Sequence, residues 1–387
     1  MLADDGTPGF GVYVHWPFCA AKCPYCDFNS HVRHKPVDQQ QFAQAYLKEI
    51  EYVRDVCGPQ SVTSVFFGGG TPSLMAPETL DAILGAIDKA WGIPDSIEIT
   101  MEANPASADA ARFKAYRAFG VNRVSLGVQA LDDSDLKFLG RLHSVDEALQ
   151  AIDLARSTFE RMSFDLIYAR PNQTPESWEA ELRRAIGFAA DHLSLYQLTI
   201  EEGTPFKSLH QSGKLILPDD ELAADMYEVT QSVTAELGLP VYEVSNHAAL
   251  AAQARHNLTY WRYGDYAGVG PGAHGRLTTK GDQKIATECE KHPETWAALV
   301  NEKAHGFVSQ TELTRDQQAD EMLVMGLRLT EGFDLARYEM MAGQTIAPNK
   351  LQAMIDLGMI ERMGNSKIRA TAKGRIVLNA VLAELAV

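Results

Sequence analysis

His15-Trp16-Pro17-Phe18-Cys19-Ala20-Ala21-Lys22-Cys23-Pro24-Tyr25-Cys26-Asp27-Phe28 carries three cysteines at C-x3-C-x2-C spacing. A loop of that length brings three thiolates to one side of a short turn, which suits three corners of a cubic iron–sulfur cluster. Most [4Fe–4S] centres take four cysteines, so three leave one iron open to an exchangeable ligand. The other readings are weaker. Disulfides pair cysteines two by two, and the remaining pair, Cys57 and Cys289, stand isolated in the chain. Structural zinc takes four ligands, and beyond the thiols the loop offers only Asp27 and the nearby His31.

The 387 residues, 45% hydrophobic and 22% charged, give one large globular domain and a smaller one. No apolar stretch approaches the ~18 residues of a membrane span, and residues 1–11 lack the charged and apolar regions of a secretory signal. Five cysteines, three of them clustered, fit a reducing compartment. The expectation is a cytoplasmic protein. A formal charge of −16, from 51 acidic and 35 basic residues, disfavours nucleic acid, whose binding rests on phosphate neutralisation. An anionic ligand would need local cations, because the overall field repels it.

Outward from the cysteines, apolar β-rich runs alternate with amphipathic segments. Strands are predicted at 11–16, 64–69, 97–103, 123–128, 161–168 and 192–199, with helices at 38–56, 77–91, 108–119, 145–159 and 175–189. Several helices open on an N-cap followed by acidic residues, as in Ser144-Val145-Asp146-Glu147 and Thr174-Pro175-Glu176. Such alternation predicts an α/β fold with a parallel sheet. Six units favour a six-fold partial (β/α) barrel over a closed eight-fold one, with the ligand site at the carboxyl ends of the strands. After Thr199 the rhythm breaks. A turn at 202–205, a helix at 218–237 and a strand at 241–245 precede an irregular, aromatic-rich stretch to Arg276. Helices at 311–330, 335–342 and 348–357, a hairpin of 360–363 with 367–370, and a helix at 373–385 predict a smaller, mostly helical, winged-helix-like C-terminal domain. Its basic residues form no stripe along one helix, so a lid or packing module is expected rather than a nucleic-acid reader. The expected division is a tail at 1–10, a barrel at 11–205, a barrel extension at 206–310 and a terminal domain at 311–387.

Four side chains at or near strand ends, Glu102, Gln129, Arg141 and Asp165, read on their residues alone either as structural ion pairs or as ligand-binding groups. Arginine suits a ligand carboxylate, and carboxylates suit hydroxyls and ammonium. Gly68-Gly69-Gly70-Thr71-Pro72 follows the second strand, where glycines permit close backbone approach to a ligand. With C-x3-C-x2-C beside an aromatic, this set resembles the radical S-adenosylmethionine (SAM) enzymes. The resemblance implies a six-fold partial barrel and a [4Fe–4S] cluster held by Cys19, Cys23 and Cys26. It also implies that the amino and carboxylate groups of SAM chelate the open iron, and that reduction of the cluster cleaves SAM to a 5′-deoxyadenosyl radical. By the same resemblance Tyr13, Tyr25, Gly69, Gly70, Thr71, Glu102, Gln129, Arg141, Asp165 and Thr199 match positions that surround SAM.

His256-Asn257-Leu258-Thr259-Tyr260-Trp261 is a second compact signal. On its residues alone it reads as an aromatic core corner or as an imidazole with stacking walls. It resembles a segment linked to haem binding in the HemW-type haem chaperones, which implies His256 as a haem ligand with Tyr260 and Trp261 as walls. Gly268–Gly275 also resembles a glycine-rich element of that family; Pro271 replaces a small residue, and Ala169-Arg170 replaces the usual Gly-Leu. The related oxygen-independent coproporphyrinogen III oxidases carry a further cysteine two positions beyond the third cluster ligand, and an N-terminal extension. Here the position holds Phe28, and only residues 1–10 precede the first strand. The resemblance therefore implies a haem chaperone that binds a cluster, SAM and haem. It implies an electron donor for the cluster and a haem-accepting partner, such as a membrane-associated respiratory protein. A radical SAM porphyrinogen oxidase and a nucleic-acid-associated protein are the alternatives.

Overall fold

Each β-rich run of the N-terminal half becomes a parallel strand in the computed structural model, which describes residues 6–33, 35–189, 191–364 and 366–386. The first half of the expected tail, residues 1–5, lies outside the described residues. The strands are β1 (Phe10–Trp16), β2 (Val62–Gly69), β3 (Glu98–Ala103), β4 (Arg123–Gln129), β5 (Arg161–Tyr168) and β6 (His192–Gln197). They pair in sequence order, all parallel. This is the expected six-fold partial barrel.

The period of two divides each strand between two environments. Val12, Val14 and Trp16 of β1 are buried in the main core with Phe42, Tyr46 and Ile50 of the helix Gln39–Cys57. Tyr13 and His15 turn the other way, toward the concave side, where their rings meet each other and Phe66 of β2. The helices therefore cover one face, and the other forms a lumen lined by Tyr13, Phe66, Glu102, Ser125 and Asp165.

The stretch expected to be irregular is ordered. It contains β7 (Asn246–Ala248), a helix at Arg255–Trp261, β8 (Asp265–Val269) and β9 (His274–Thr278). β8 joins the free edge of β1 as a further parallel strand. β9, β10 (Lys284–Cys289) and β11 (Phe307–Glu312) continue antiparallel from it. β7 closes the far edge against β6, giving an eleven-stranded sheet. The strand expected at 241–245 is replaced by β7, and Val241 makes only an isolated bridge to His247. The helix expected at 311–330 is Arg315–Gly326, because 307–312 belong to β11 and Thr314 forms a capping box with Gln317. The last helix breaks at Val377 into Ala372–Ile376 and Leu378–Leu385.

The C-terminal domain is winged-helix-like. Helices Arg315–Gly326, Leu335–Ala342 and Pro348–Asp356 pack against a three-stranded sheet that contains the hairpin Ile360–Met363 with Lys367–Ala370. Leu323, Phe333, Tyr338, Ile368 and Leu382 form its own core. It is fastened to the barrel by Arg262 on Glu331 at 2.7 Å and by Tyr263 and Arg276 on Glu321. Among the described residues no helix is long and apolar enough to cross a membrane.

Candidate metal and cofactor site

β1 delivers the cysteines directly. Its last residue leads through Pro17 into Phe18–Cys19, which pairs parallel with His31–Val32 and closes the loop on itself. Within the loop the Cys26 amide donates to the Cys23 carbonyl at 3.2 Å. Cys19, Cys23 and Cys26 are all half-buried free thiols. Asn29 ties the loop to the body of the sheet. Its amide donates to the carbonyls of Pro271 (2.8 Å) and Lys291 (2.9 Å), and its own carbonyl lies 2.9 Å from His15 Nε2. Pro271 therefore serves through its carbonyl, which proline supplies as well as a small residue would.

The glycine run after β2 packs under the cysteine loop. Gly69 has φ of +108°, and a Cβ there would lie 2.6 Å from the His15 ring. A Cβ on Gly70 would lie 2.8 Å from the Pro17 carbonyl carbon and the Phe18 oxygen. The Gly70 and Thr71 amides instead donate to Trp16 and Phe18 carbonyls at 2.7 and 2.9 Å, and the Thr71 hydroxyl donates to the Cys19 sulfur at 3.3 Å.

Arg141 links this run to the next strand ends. Its Nη1 lies 3.5 Å from the Cys23 sulfur, and its Nη2 donates to Asn104 Oδ1 (2.6 Å) and to the Gly127 carbonyl (2.7 Å). Asn104 in turn donates to Thr71 Oγ1 at 3.1 Å. A continuous chain thus runs Cys23–Arg141–Asn104–Thr71–Cys19. Asn104 and Asn29 were missed as site residues from the sequence. Asn104 carried a signal, an asparagine before proline at a strand end beside Glu102.

The remaining strand-end groups line the lumen just below. Glu102 accepts from the Gly69 amide at 3.2 Å. Burial, then the neighbouring Asp165, push its carboxyl up to about 8 against the opposing Gly69 bond. Asp165 accepts from Ser125 at 3.2 Å and is raised to about 6, chiefly by burial. Gln129 sits at φ +74° on the last residue of β4. Tyr13 bonds His15 Nδ1 through its hydroxyl at 2.9 Å. Tyr25 packs toward Phe206 with ring centroids 6.3 Å apart. Thr199 stands apart: it is exposed, beyond the end of β6.

His256 occupies a different level. Its Nδ1 lies 2.8 Å from the Ser64 hydroxyl and its Nε2 2.7 Å from the Tyr260 hydroxyl. Its ring stacks on Phe66 at 5.1 Å. Tyr13 of β1 meets its ring at 6.4 Å between centroids, and a Cβ on β1 would fall 3.0 Å from it at Gly11. That is four residues below His15, about 13 Å along a strand. His256 is 1% exposed, and burial lowers its imidazole to about 3. With both ring nitrogens engaged, the imidazole plugs the base of the lumen rather than presenting a free ligand. Tyr260 meets Tyr266 edge-on at 4.5 Å, and the half-buried Trp261 lies under the Arg328 guanidinium, 5.3 Å from the ring. The sequence-predicted residues therefore divide into a set at the cysteine loop and a set at the lumen base.

The loop set fits a cluster with a polar ligand. Arg141 Nε and Gln129 Oε1 are enclosed with no hydrogen-bond partner, so a donor and an acceptor await a ligand. A cleft of about 550 Å³ opens beside Cys23, Thr71, Asn104 and Arg141. Among the described residues no three His, Cys, Asp or Glu side chains converge on a single metal ion. A cubane has a different requirement, one ligand per iron, and three free thiols on one loop can supply three of the four.

Comparison with known proteins agrees with this geometry. The family model described as the radical SAM superfamily matches residues 13–185, and that of the HemN C-terminal domain matches residues 313–377. The heme chaperone HemW of Haemophilus influenzae is 34% identical over 382 residues, 97% of each chain. That of Escherichia coli is 34% identical over 379 residues, again 97% of each. The mitochondrial radical S-adenosyl methionine domain-containing protein 1 of Danio rerio is 37% identical over 98% of this chain and 88% of its own. The coproporphyrinogen III oxidase HemN of Escherichia coli superposes with a TM-score of 0.81 at 22% identity, over 99% of this chain and 91% of that one, and so shares the fold. With the cysteine loop, the partial barrel and near full-length relatives in agreement, the chain belongs to the HemW family of the radical SAM superfamily.

Proposed function

We propose that this protein is a haem chaperone, which binds a [4Fe–4S] cluster, SAM and haem and passes haem to an accepting protein. The observation that carries this reading over a porphyrinogen oxidase is Phe28. The oxidases resembled by the sequence have a cysteine at that position, whereas here an apolar ring stands 59% exposed beside the cluster loop. The similarity to the heme chaperones HemW along nearly the whole chain supports the same reading.

In this reading Cys19, Cys23 and Cys26 hold the cluster, and Arg141 and Thr71 direct hydrogen bonds at two of its sulfurs. Tyr13, Gly69, Gly70, Thr71, Glu102, Gln129, Arg141 and Asp165 surround SAM, with Tyr25 and Thr199 at the margins. The bound cluster and SAM supply one-electron chemistry that no side chain can; the protein binds, orients and excludes water. His256, Tyr260 and Trp261 are the haem segment of the proposal. Ligation by His256 requires its ring to exchange the Ser64 or Tyr260 bond for iron, so haem arrival and loosening of the lumen base are one event. An electron donor reduces the cluster. The acceptor is a haem-binding protein, with a membrane-associated respiratory protein as the specific candidate and the cytoplasm as the setting. Nucleic acid is not a partner in this reading.

The test is a haemin titration of the anaerobically reconstituted protein and of His256→Ala, followed by the haem absorption band. Saturable binding of one haem per chain, with a band shifted or lost in the variant, is the expected result. No saturable binding by the wild type would return the chain to catalysis, with coproporphyrinogen as the first substrate to try.

A further inference from the structure

Arg328 is the exception among this protein's arginines. Every other described arginine that is not exposed has a carboxylate within 4.0 Å or a hydrogen-bond acceptor. Arg328 is half-buried and has neither, and its Nε–H is enclosed without an acceptor. The guanidinium lies over the Trp261 ring at 5.3 Å, and the Trp261 indole N–H is enclosed without an acceptor too. Two donors without acceptors thus belong to one stacked pair. An enclosed donor left unpaired is costly, so paired vacancies of this kind point to an acceptor from outside the chain.

The surroundings make the site built rather than accidental. Arg328 ends the turn after the helix Arg315–Gly326. The next residues pin that turn to the barrel: Leu329 is buried with Tyr242, Ala248 and Leu258, and the Thr330 amide donates to the Tyr242 carbonyl at 3.0 Å. The buried Glu243 carboxyl feels the Arg328 charge. It forms no ion pair with Arg328 within 4.0 Å and takes its hydrogen bond from Asn246 instead. Arg328 therefore keeps its charge available in a chain of net charge −16, where an anionic ligand must find a local cation. A planar fork beside an indole donor matches a carboxylate, and the exposed part of the Trp261 ring offers an aromatic wall to whatever carries it.

We propose that Arg328 and Trp261 form a carboxylate subsite, at the seam between barrel and C-terminal domain, that anchors a carboxylate side chain of the tetrapyrrole cargo. This rests on the haem-chaperone reading and deepens it: the C-terminal domain contributes a recognition group, and Trp261 acts as donor and wall. Iron ligation and carboxylate anchoring then fall to two separate groups.

The test compares haemin with haemin dimethyl ester, whose carboxylates are masked, on the full anaerobically reconstituted protein. Wild type should bind haemin at least tenfold more tightly than the ester. Arg328→Gln should lose that preference while binding the ester as wild type does, and Arg328→Lys should recover only part of it. Saturable haemin binding with no preference over the ester in wild type would overturn the subsite and leave the chaperone reading intact. So would an Arg328→Gln variant that keeps the preference. Failure of wild type to bind either tetrapyrrole would overturn both. The wild-type comparison needs no variant, so a folding defect in Arg328→Gln cannot mask the answer.

Discussion

Arg141 Nη1 lies 3.5 Å from the Cys23 sulfur, although 118 residues separate the two in sequence. The guanidinium stands between the cluster ligand and the strand ends, with Nη2 committed to Asn104 and Gly127 and Nε free of any partner. Truncation to Arg141→Ala should weaken SAM binding by ~1.5–3 kcal/mol, the loss of a charged hydrogen bond. Equilibrium dialysis checks it, and an unchanged affinity would remove Arg141 from the SAM site.

Cys23 tests the cluster assignment itself. Cys23→Ala leaves two thiols on the loop and should abolish the brown absorption that follows anaerobic reconstitution with iron and sulfide. Full iron content and an unchanged spectrum would show that the ligands lie elsewhere.

Gly70 tests the packing beneath the loop. An alanine methyl would meet backbone atoms of Pro17 and Phe18 at 2.8–2.9 Å, and backbone cannot swing aside as a side chain can. Gly70→Ala should cost about 1–3 kcal/mol and lower the iron retained on reconstitution. Gly85, inside the helix Pro77–Trp91, is the control, because an added methyl there would meet nothing within 4 Å. Gly85→Ala should stabilise by roughly 0.5–1 kcal/mol. Chemical denaturation of both variants settles the contrast.

The parts of this molecule that were legible in the sequence are those set by near neighbours. Each barrel strand is a compact apolar run followed by a helix, most of them opened by a side-chain cap, and the thiols lie within eight consecutive residues. What was not legible depends on distant partners. Asn29 bonds Pro271 across 242 positions, and His256 bonds Ser64 across 192. No spacing rule encodes either contact. The segment after Ser245 looked irregular because its elements are short and its glycines obscure a strand pattern. β8 is nonetheless held in place by five consecutive pairings with β1. His256 shows the same limit at a single residue: of the motif's aromatics Tyr260 bonds the imidazole, while Trp261 lies against Arg328 and the fold turns the imidazole inward.

Glu102 carries the pH prediction. Its carboxyl is raised from an ordinary 4.5 to about 8, by burial first and by Asp165 second. Between those values the folded protein holds a proton that the unfolded chain has released. Stability from this group is therefore fully present below pH 4.5 and is lost as pH rises toward 8. Glu102→Gln has no proton to lose. In the absence of SAM the variant should gain on wild type from pH 5 to pH 8 by on the order of 2 kcal/mol, less than the full shift implies because Glu102 as a residue is only half-buried. Urea melts at the two values measure it, and parallel curves would mean that Glu102 is already ionised in the fold. SAM brings an ammonium and a sulfonium, and a nearby cation favours the ionised carboxylate. Wild type should therefore release a proton when SAM binds at pH 7, visible as a dependence of the calorimetric heat on buffer ionisation enthalpy, and Glu102→Gln should show that dependence reduced.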